Sequence, residues 1–205
     1  MITALNTFFE WLKESSSSPW FYVIIFVIAV FDSVLPIVPS ETLVIIGGVS
    51  AGSGSLSIAL VILCAGGGAF IGDNLSYFLG REASDWVIKR RTRTEKGAKQ
   101  MAKIIEQIHD RGGMLLITAR FIPGGRTLLT LSCGVTRQPR KWFVGWAVVA
   151  ASVWSLYASL LGFVGGKSFA DNHTKAFVIA FAGAFGVTVL IEAIRAISHR
   201  ISKAK

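Results

Sequence analysis

The 205-residue sequence is short of charge: Asp, Glu, Lys and Arg supply 16% of it, against roughly a quarter in an ordinary soluble domain. Hydrophobic residues supply 52% and the mean hydropathy is +0.58. Disorder is therefore excluded, because a disordered chain combines low hydrophobicity with high charge density. Cysteine is equally scarce. Cys64 and Cys133 both sit inside apolar stretches, which excludes a disulfide-stapled secreted fold. His109, His173 and His199 are scattered among loops and ends, so no metal site is expected. Nor is there a Ser-His-Asp set or a phosphate loop, since no Lys-Ser/Thr follows Gly66, Gly67, Gly68 and Gly72 at the required spacing. The charge that is present is one-sided, with 21 Lys and Arg against 12 Asp and Glu, a net +9. On a hydrophobic chain that balance marks either a nucleic-acid face or the inner loops of a membrane protein, and location decides between them.

Three runs carry no formal charge: 31 residues from Thr42 to Gly72, 25 from Trp142 to Gly166 and 16 from Ala176 to Ile191. A bilayer-crossing helix needs about 20 apolar residues. The second run spans comfortably, and the third spans if Glu192 and Arg195 snorkel to the headgroups. The first is too long for one helix and is broken by the turn-like Ala51-Gly52-Ser53-Gly54-Ser55, leaving a span over 55–80. The chain thus reads as an all-α integral membrane protein forming one membrane domain, with spans at 55–80, 142–166 and 176–200. Residues 1–18 carry Phe8, Phe9, Trp11 and Leu12 beside Glu10, Lys13 and Glu14. They read as an amphipathic interfacial helix or as a frayed tail. Lacking a basic n-region, they are not expected to be a cleavable signal peptide.

The basic residues fall in three groups beside hydrophobic segments. Nine lie between Arg81 and Arg111, within a basic segment at 81–112; Arg137, Arg140 and Lys141 form a second group; Arg195, Arg200, Lys203 and Lys205 a third. With the N-terminus outside, all three groups lie inside and account for 16 of the 21 basic residues, as the positive-inside rule requires. The C-terminus is then cytoplasmic. Solvated inner loops explain these groups, and a hold on anionic headgroups is the second reading.

Two hydrophobic stretches are broken. Residues 19–50 are interrupted by Asp32, Pro36, Pro39 and Glu41, and residues 113–136 by Arg120, Pro123, Gly124, Gly125 and Arg126. Prolines three apart do not fit an undisturbed helix, and a break at membrane depth is tolerated only where protein or water lines it. Both stretches read as re-entrant hairpins; if the first spanned instead, the N-terminus would lie inside. The order amphipathic stretch, hairpin, span occurs twice, and a single crossing per unit makes the second copy inverted, a transporter architecture. The helix at 176–200 is the extra element. Four charges at membrane depth, at about 2.5–3.5 kcal/mol each on insertion scales, have to pair or line water. Two acids in one hairpin and two arginines in the other make the pairing Asp32 and Glu41 with Arg120 and Arg126. A structural salt bridge is the plain alternative, but buried ion pairs are a poor source of stability.

These residues resemble a family. Asp32-Ser-Val-Leu-Pro-Ile-Val-Pro-Ser-Glu41 is similar to the acidic, proline-containing hairpin of DedA-family proteins of the VTT-domain superfamily. Ala119-Arg-Phe-Ile-Pro-Gly-Gly-Arg126 is similar to that family's arginine hairpin, and Gly72-Asp-Asn-Leu-Ser-Tyr-Phe-Leu-Gly-Arg81 to its third motif. Asp32 stands where Glu is more usual, Ser40 replaces a glycine and Thr118 a phenylalanine. The resemblance covers roughly 20–165 and implies a flippase of the inner membrane, not an enzyme. It would move undecaprenyl phosphate or a phospholipid, coupled to a proton or sodium gradient and without a cofactor.

Within that reading Arg120 and Arg126 bind the substrate phosphate, since arginine forks suit phosphate, while Asp32 and Glu41 exchange the coupling ion. Competition between phosphate and these acids for the arginines links the two. Asp73, Tyr77, Arg81, Pro123 and Gly124 support the site; Asp73 reads either as a polar contact near the cavity mouth or as a local cap or ion pair. The partners implied are the lipid and the bilayer, with a second copy of the chain allowed and nucleic acid not expected. Gly68 with Gly72, and Gly162 with Gly166, read as close helix contacts. Trp20, Trp142, Trp146 and Trp154 include interfacial belt residues. A membrane-embedded lipid phosphatase and a lipid-organising assembly protein are the alternatives.

Overall fold

Where the sequence breaks, the helices break. In the computed structural model, which describes residues 18–35, 40–91, 93–122 and 124–168, α1 (Trp20–Val34) stops as Leu35 turns to extended backbone. The chain resumes as α2 (Ser40–Gly52), with Glu41 in its first turn, where a carboxylate complements the positive end of a helix. A turn at Ser53 and Gly54, the latter at φ +87°, leads to α3 (Ile58–Glu82). The short α4 (Ser84–Arg91) and the amphipathic α5 (Glu95–Thr118) follow. A single 3₁₀ turn over Ala119–Phe121 leads to α6 (Gly125–Val135), whose preceding residue Gly124 is left-handed at φ +69°. Finally α7 (Arg140–Ser168) closes the described chain. No strand occurs among the described residues. The expected amphipathic N-terminal stretch, the span at 176–200 and Pro36, Pro39 and Pro123 lie outside them.

Among the described residues, two helices are long and apolar enough to cross a membrane. With 25 residues in α3 and 29 in α7, a rise of 1.5 Å per residue gives about 37 and 43 Å, against a hydrocarbon core of about 30 Å. The 15 residues of α1 and 13 of α2 give only about 22 and 20 Å. The flanks of the long helices are apolar and open: Leu63 is 67% exposed on α3 and Val164 61% on α7. Soluble domains seldom leave such faces uncovered. Helix α5 runs through position 112, the expected end of the basic segment, without interruption. Gly112 and Gly113 lie within it, with the Trp142 and Trp146 rings placed where a larger residue would clash.

The packing is reciprocal. Helix α2, from the first broken segment, lies along α7, and α6, from the second, lies along α3. Each contact is made through glycine. A Cβ at Gly48 would run into the Ser159 carbonyl and come within 3.0 Å of the Gly162 Cα; one at Gly134 would meet the Tyr77 carbonyl. Gly68 and Gly72 bring α3 onto the α1 backbone beside Ala29 and Ser33. The apolar core between these helices holds Phe21, Ile25, Val44, Val61, Ala65 and Ala158, with a second cluster of Tyr77, Ile108, Cys133 and Phe143 beneath α6.

Overpacking such a contact costs about 1–3 kcal/mol, so Gly48→Leu should lower the thermal midpoint in detergent by several degrees. At Gly145 an added Cβ meets open space, and Gly145→Ala should match or exceed the wild type. Equal midpoints for the two variants would show that the glycine seam does not set the spacing of α2 and α7.

Candidate functional site

The two helix breaks meet at α3. Asp73 lies on this helix nine residues before its end at Glu82, about 14 Å along the axis, and it is 2% exposed. Its two carboxylate oxygens go to different arginines. Arg126 donates from Nε to Asp73 Oδ1 at 2.7 Å, and Arg120 donates from Nη2 to Asp73 Oδ2. Arg120 comes from the 3₁₀ turn and Arg126 from the first turn of α6, so the kink around Gly124 aims both guanidiniums at one carboxylate.

Helix α1 closes the other side. Arg126 Nη1 faces Asp32 Oδ2 at 3.4 Å, and its Nη2 donates to Ser33 Oγ and, at 3.0 Å, to the Ala69 carbonyl. Ser33 Oγ in turn donates to the Ala29 carbonyl at 3.0 Å, and Ser76 Oγ donates to the Ser33 carbonyl at 2.7 Å. Ser40, opening α2, donates to Asp32 Oδ2 at 2.6 Å and so ties the two arms of the first broken segment together. From α7 the Trp154 ring lies 5.7 Å from the Arg126 guanidinium carbon, a cation–π arrangement that shields the charge without a hydrogen bond.

Three of the four charges expected to cluster, Asp32, Arg120 and Arg126, do so, and Asp73 completes the set. Glu41 stands aside. It is half-buried at the start of α2, close enough to Asp32 and Tyr157 to interact electrostatically, and among the described residues it makes no ion pair. Tyr77 and Arg81 form a separate polar contact farther along α3. Arg81 Nη1 donates to the Tyr77 hydroxyl at 3.2 Å, and that hydroxyl donates to the Gln138 carbonyl at 2.6 Å. The Tyr77 ring stacks on Phe143 at 4.5 Å. This contact binds α3 to the α6–α7 turn and does not reach the cluster. Gly124 acts through its backbone conformation, and Pro123 lies outside the described residues.

Ser33, Ser40, the Ala69 carbonyl and Trp154 were not expected at the site. Trp154, read from the sequence with the interfacial belt, is instead 4% exposed in the core. The signal for Ser33 was its place beside Asp32; an apolar run as uniform as 142–166 carries no phase from which to tell the buried side of Trp154. Chemically the cluster is a pair of fixed cations in a water-poor setting, balanced by carboxylates on two other helices. Such an arrangement can hold an anion by exchanging it for a carboxylate.

A match to the VTT domain covers residues 38–164, taking in Glu41, Asp73, Arg120 and Arg126. Inner membrane protein YohD of Escherichia coli K12 is 28% identical over 144 residues, covering 67% of this chain and 73% of that protein. Undecaprenyl phosphate transporter A of Staphylococcus aureus is 30% identical over 146 residues, covering 69% and 72%. Protein DedA of Escherichia coli K12 is 23% identical over 192 residues, covering 91% and 86%. No solved structure matches the chain. With a VTT domain over most of its length and these relatives, the chain belongs to the DedA family of VTT-domain membrane proteins.

Proposed function

We propose that this protein is a transporter that moves a phosphate-bearing lipid, a polyprenyl phosphate or a phospholipid, between the leaflets of the cytoplasmic membrane. The observation behind this reading is the buried arginine pair, Arg120 and Arg126, held by Asp73 and Asp32 between the two helix breaks. The name of the Staphylococcus aureus relative, an undecaprenyl phosphate transporter, supports the substrate class. In the bilayer, the two broken segments are re-entrant hairpins entering from opposite faces, with the N-terminus outside and the basic loops and C-terminus inside.

Charge accounting gives the coupling. Arg120 and Arg126 are balanced by Asp73 and Asp32, and Glu41 is one acid in surplus. A phosphate monoester carries roughly −1.5 to −2 near pH 7, and adding it to a cluster that already holds a surplus anion is unfavourable at low dielectric. A proton or sodium ion taken up with the lipid offsets that cost. Glu41, unpaired among the described residues and beside Asp32, is the first acid to accept it, with Asp32 as the second. The acid that phosphate has to displace from the arginines is Asp73. No covalent step is needed for this exchange.

In liposomes, the wild-type chain should speed leaflet exchange of a labelled polyprenyl phosphate. Arg120→Ala should slow it at least about tenfold, the factor that goes with losing one charge-assisted contact. Phosphate release without exchange would instead indicate a lipid phosphatase, and neither activity a lipid-organising role. Glu41→Gln should keep a near-wild-type thermal midpoint while exchange stops responding to an imposed proton or sodium gradient. A gradient response that survives this change would place the coupling acid elsewhere.

A further inference from the structure

The cluster treats its two arginines unequally. Every guanidinium nitrogen of Arg126 has a partner: Nε on Asp73, Nη1 on Asp32, and Nη2 on Ser33 and the Ala69 carbonyl. Its ring-facing side is covered by Trp154. These partners come from α1, α3 and α7, so Arg126 fastens three helices to α6. Arg120 is buried as deeply, its side chain 2% exposed, yet among the described residues it has one partner, the Asp73 carboxylate. Its Nε and Nη1 are shut away from solvent with no acceptor among those residues. Unpaired donors on a buried cation are among the least favourable arrangements a fold retains, and such donors call for an occupant, whether an anion or water.

The reason Asp73 leaves them empty is geometric. A carboxylate shared between two guanidiniums offers each a single oxygen, and Asp73 spends Oδ1 on Arg126. A phosphate monoester has three terminal oxygens. Set against Arg120 Nη2 in place of the carboxylate, it pairs that nitrogen together with one of the two flanking nitrogens, the parallel two-bond contact that guanidinium forms with phosphate. A Cβ at Gly124, four residues along, would meet nothing within 4 Å, and the ring of Phe121, next to Arg120 in sequence, meets Tyr157 edge-on at 5.7 Å.

We propose that the two arginines divide the work: Arg120 is the phosphate receptor, taking the headgroup in exchange for Asp73, and Arg126 is a positioning residue that holds the hairpins on α1 and α3. The receptor half rests on the reading of the protein as a phosphate-lipid carrier. The strut half does not.

The test uses the full chain in maltoside micelles, which contain no phosphate, titrated calorimetrically with farnesyl phosphate, farnesol and inorganic phosphate, with a thermal midpoint for each variant. Wild type should bind farnesyl phosphate saturably and farnesol not at all. Arg120→Gln, and Arg120→Lys, which keeps charge but loses the fork, should weaken that binding at least tenfold with midpoints near wild type. Arg126→Gln should lower the midpoint far more than Arg120→Gln, and failure of Arg126→Gln to fold would support the strut role outright. Unchanged binding in Arg120→Gln, with its donors serving water only, would overturn the receptor role while leaving the carrier reading intact. A midpoint lower in Arg120→Gln than in Arg126→Gln would overturn the strut role. Inorganic phosphate binding as tightly as farnesyl phosphate would uphold the receptor and overturn the lipid carrier; absence of all binding by wild type would overturn both.

Discussion

A single carboxylate shared by two guanidiniums holds this structure together at its least favourable point. Asp73 is 2% exposed, and around it the lateral surfaces of α3 and α7 are apolar, so neither it nor the arginines have water to fall back on. Each charge is retained only because the others are within contact. That requirement reaches outward. Arg120 and Arg126 can both face α3 only if the second broken segment kinks between them, and Asp32 can approach Arg126 only if α1 lies directly on the α3 backbone. The glycines at 68 and 72 permit that approach, as those at 48 and 162 permit α2 to lie on α7.

The same interaction is poorly suited to being purely structural. Buried ion pairs return little stability for the desolvation they demand, and this one is incomplete, with two donors of Arg120 unsatisfied. A static scaffold would gain by replacing the set with apolar side chains. A carrier that exchanges an internal carboxylate for a lipid phosphate needs an anion site that is occupied when empty of substrate yet binds its internal occupant less well than the phosphate. Asp73, divided between two partners, meets that need. On the proposed reading, Glu41 is the surplus acid through which phosphate entry would be tied to uptake of a cation.

Much of this was legible in the sequence because charge inside an apolar run is expensive and therefore conspicuous. Asp32, Arg120 and Arg126 stood out for that reason; α7 was readable from its charge-free length, and α3 from a charge-free run cut at the turn-like cluster 51–55. The pairing was harder. Asp73 had Arg81 two turns along the same helix as an apparent partner, but Arg81 turns to Tyr77 and leaves Asp73 to the arginines. Glu41 was matched to an arginine by counting signs, whereas it is its neighbour Ser40, at the start of α2, that meets Asp32. Sequence alone does not reveal which of two adjacent residues opening a helix meets the neighbouring carboxylate. The buried place of Trp154 was hidden because a helix apolar on every side has no periodicity to show which face meets protein.

The claim at the centre of this account is that lipid phosphate takes the place of Asp73 on a guanidinium. Solid-state NMR measures it directly, as the dipolar coupling between the phosphorus of a polyprenyl phosphate and ¹⁵N-labelled arginine side chains of the protein in neutral, phosphate-free micelles or glycolipid bilayers. The account predicts a contact-range coupling in the wild type that Arg120→Lys abolishes. Absence of that coupling when lipid is bound, or its persistence without Arg120, would contradict it.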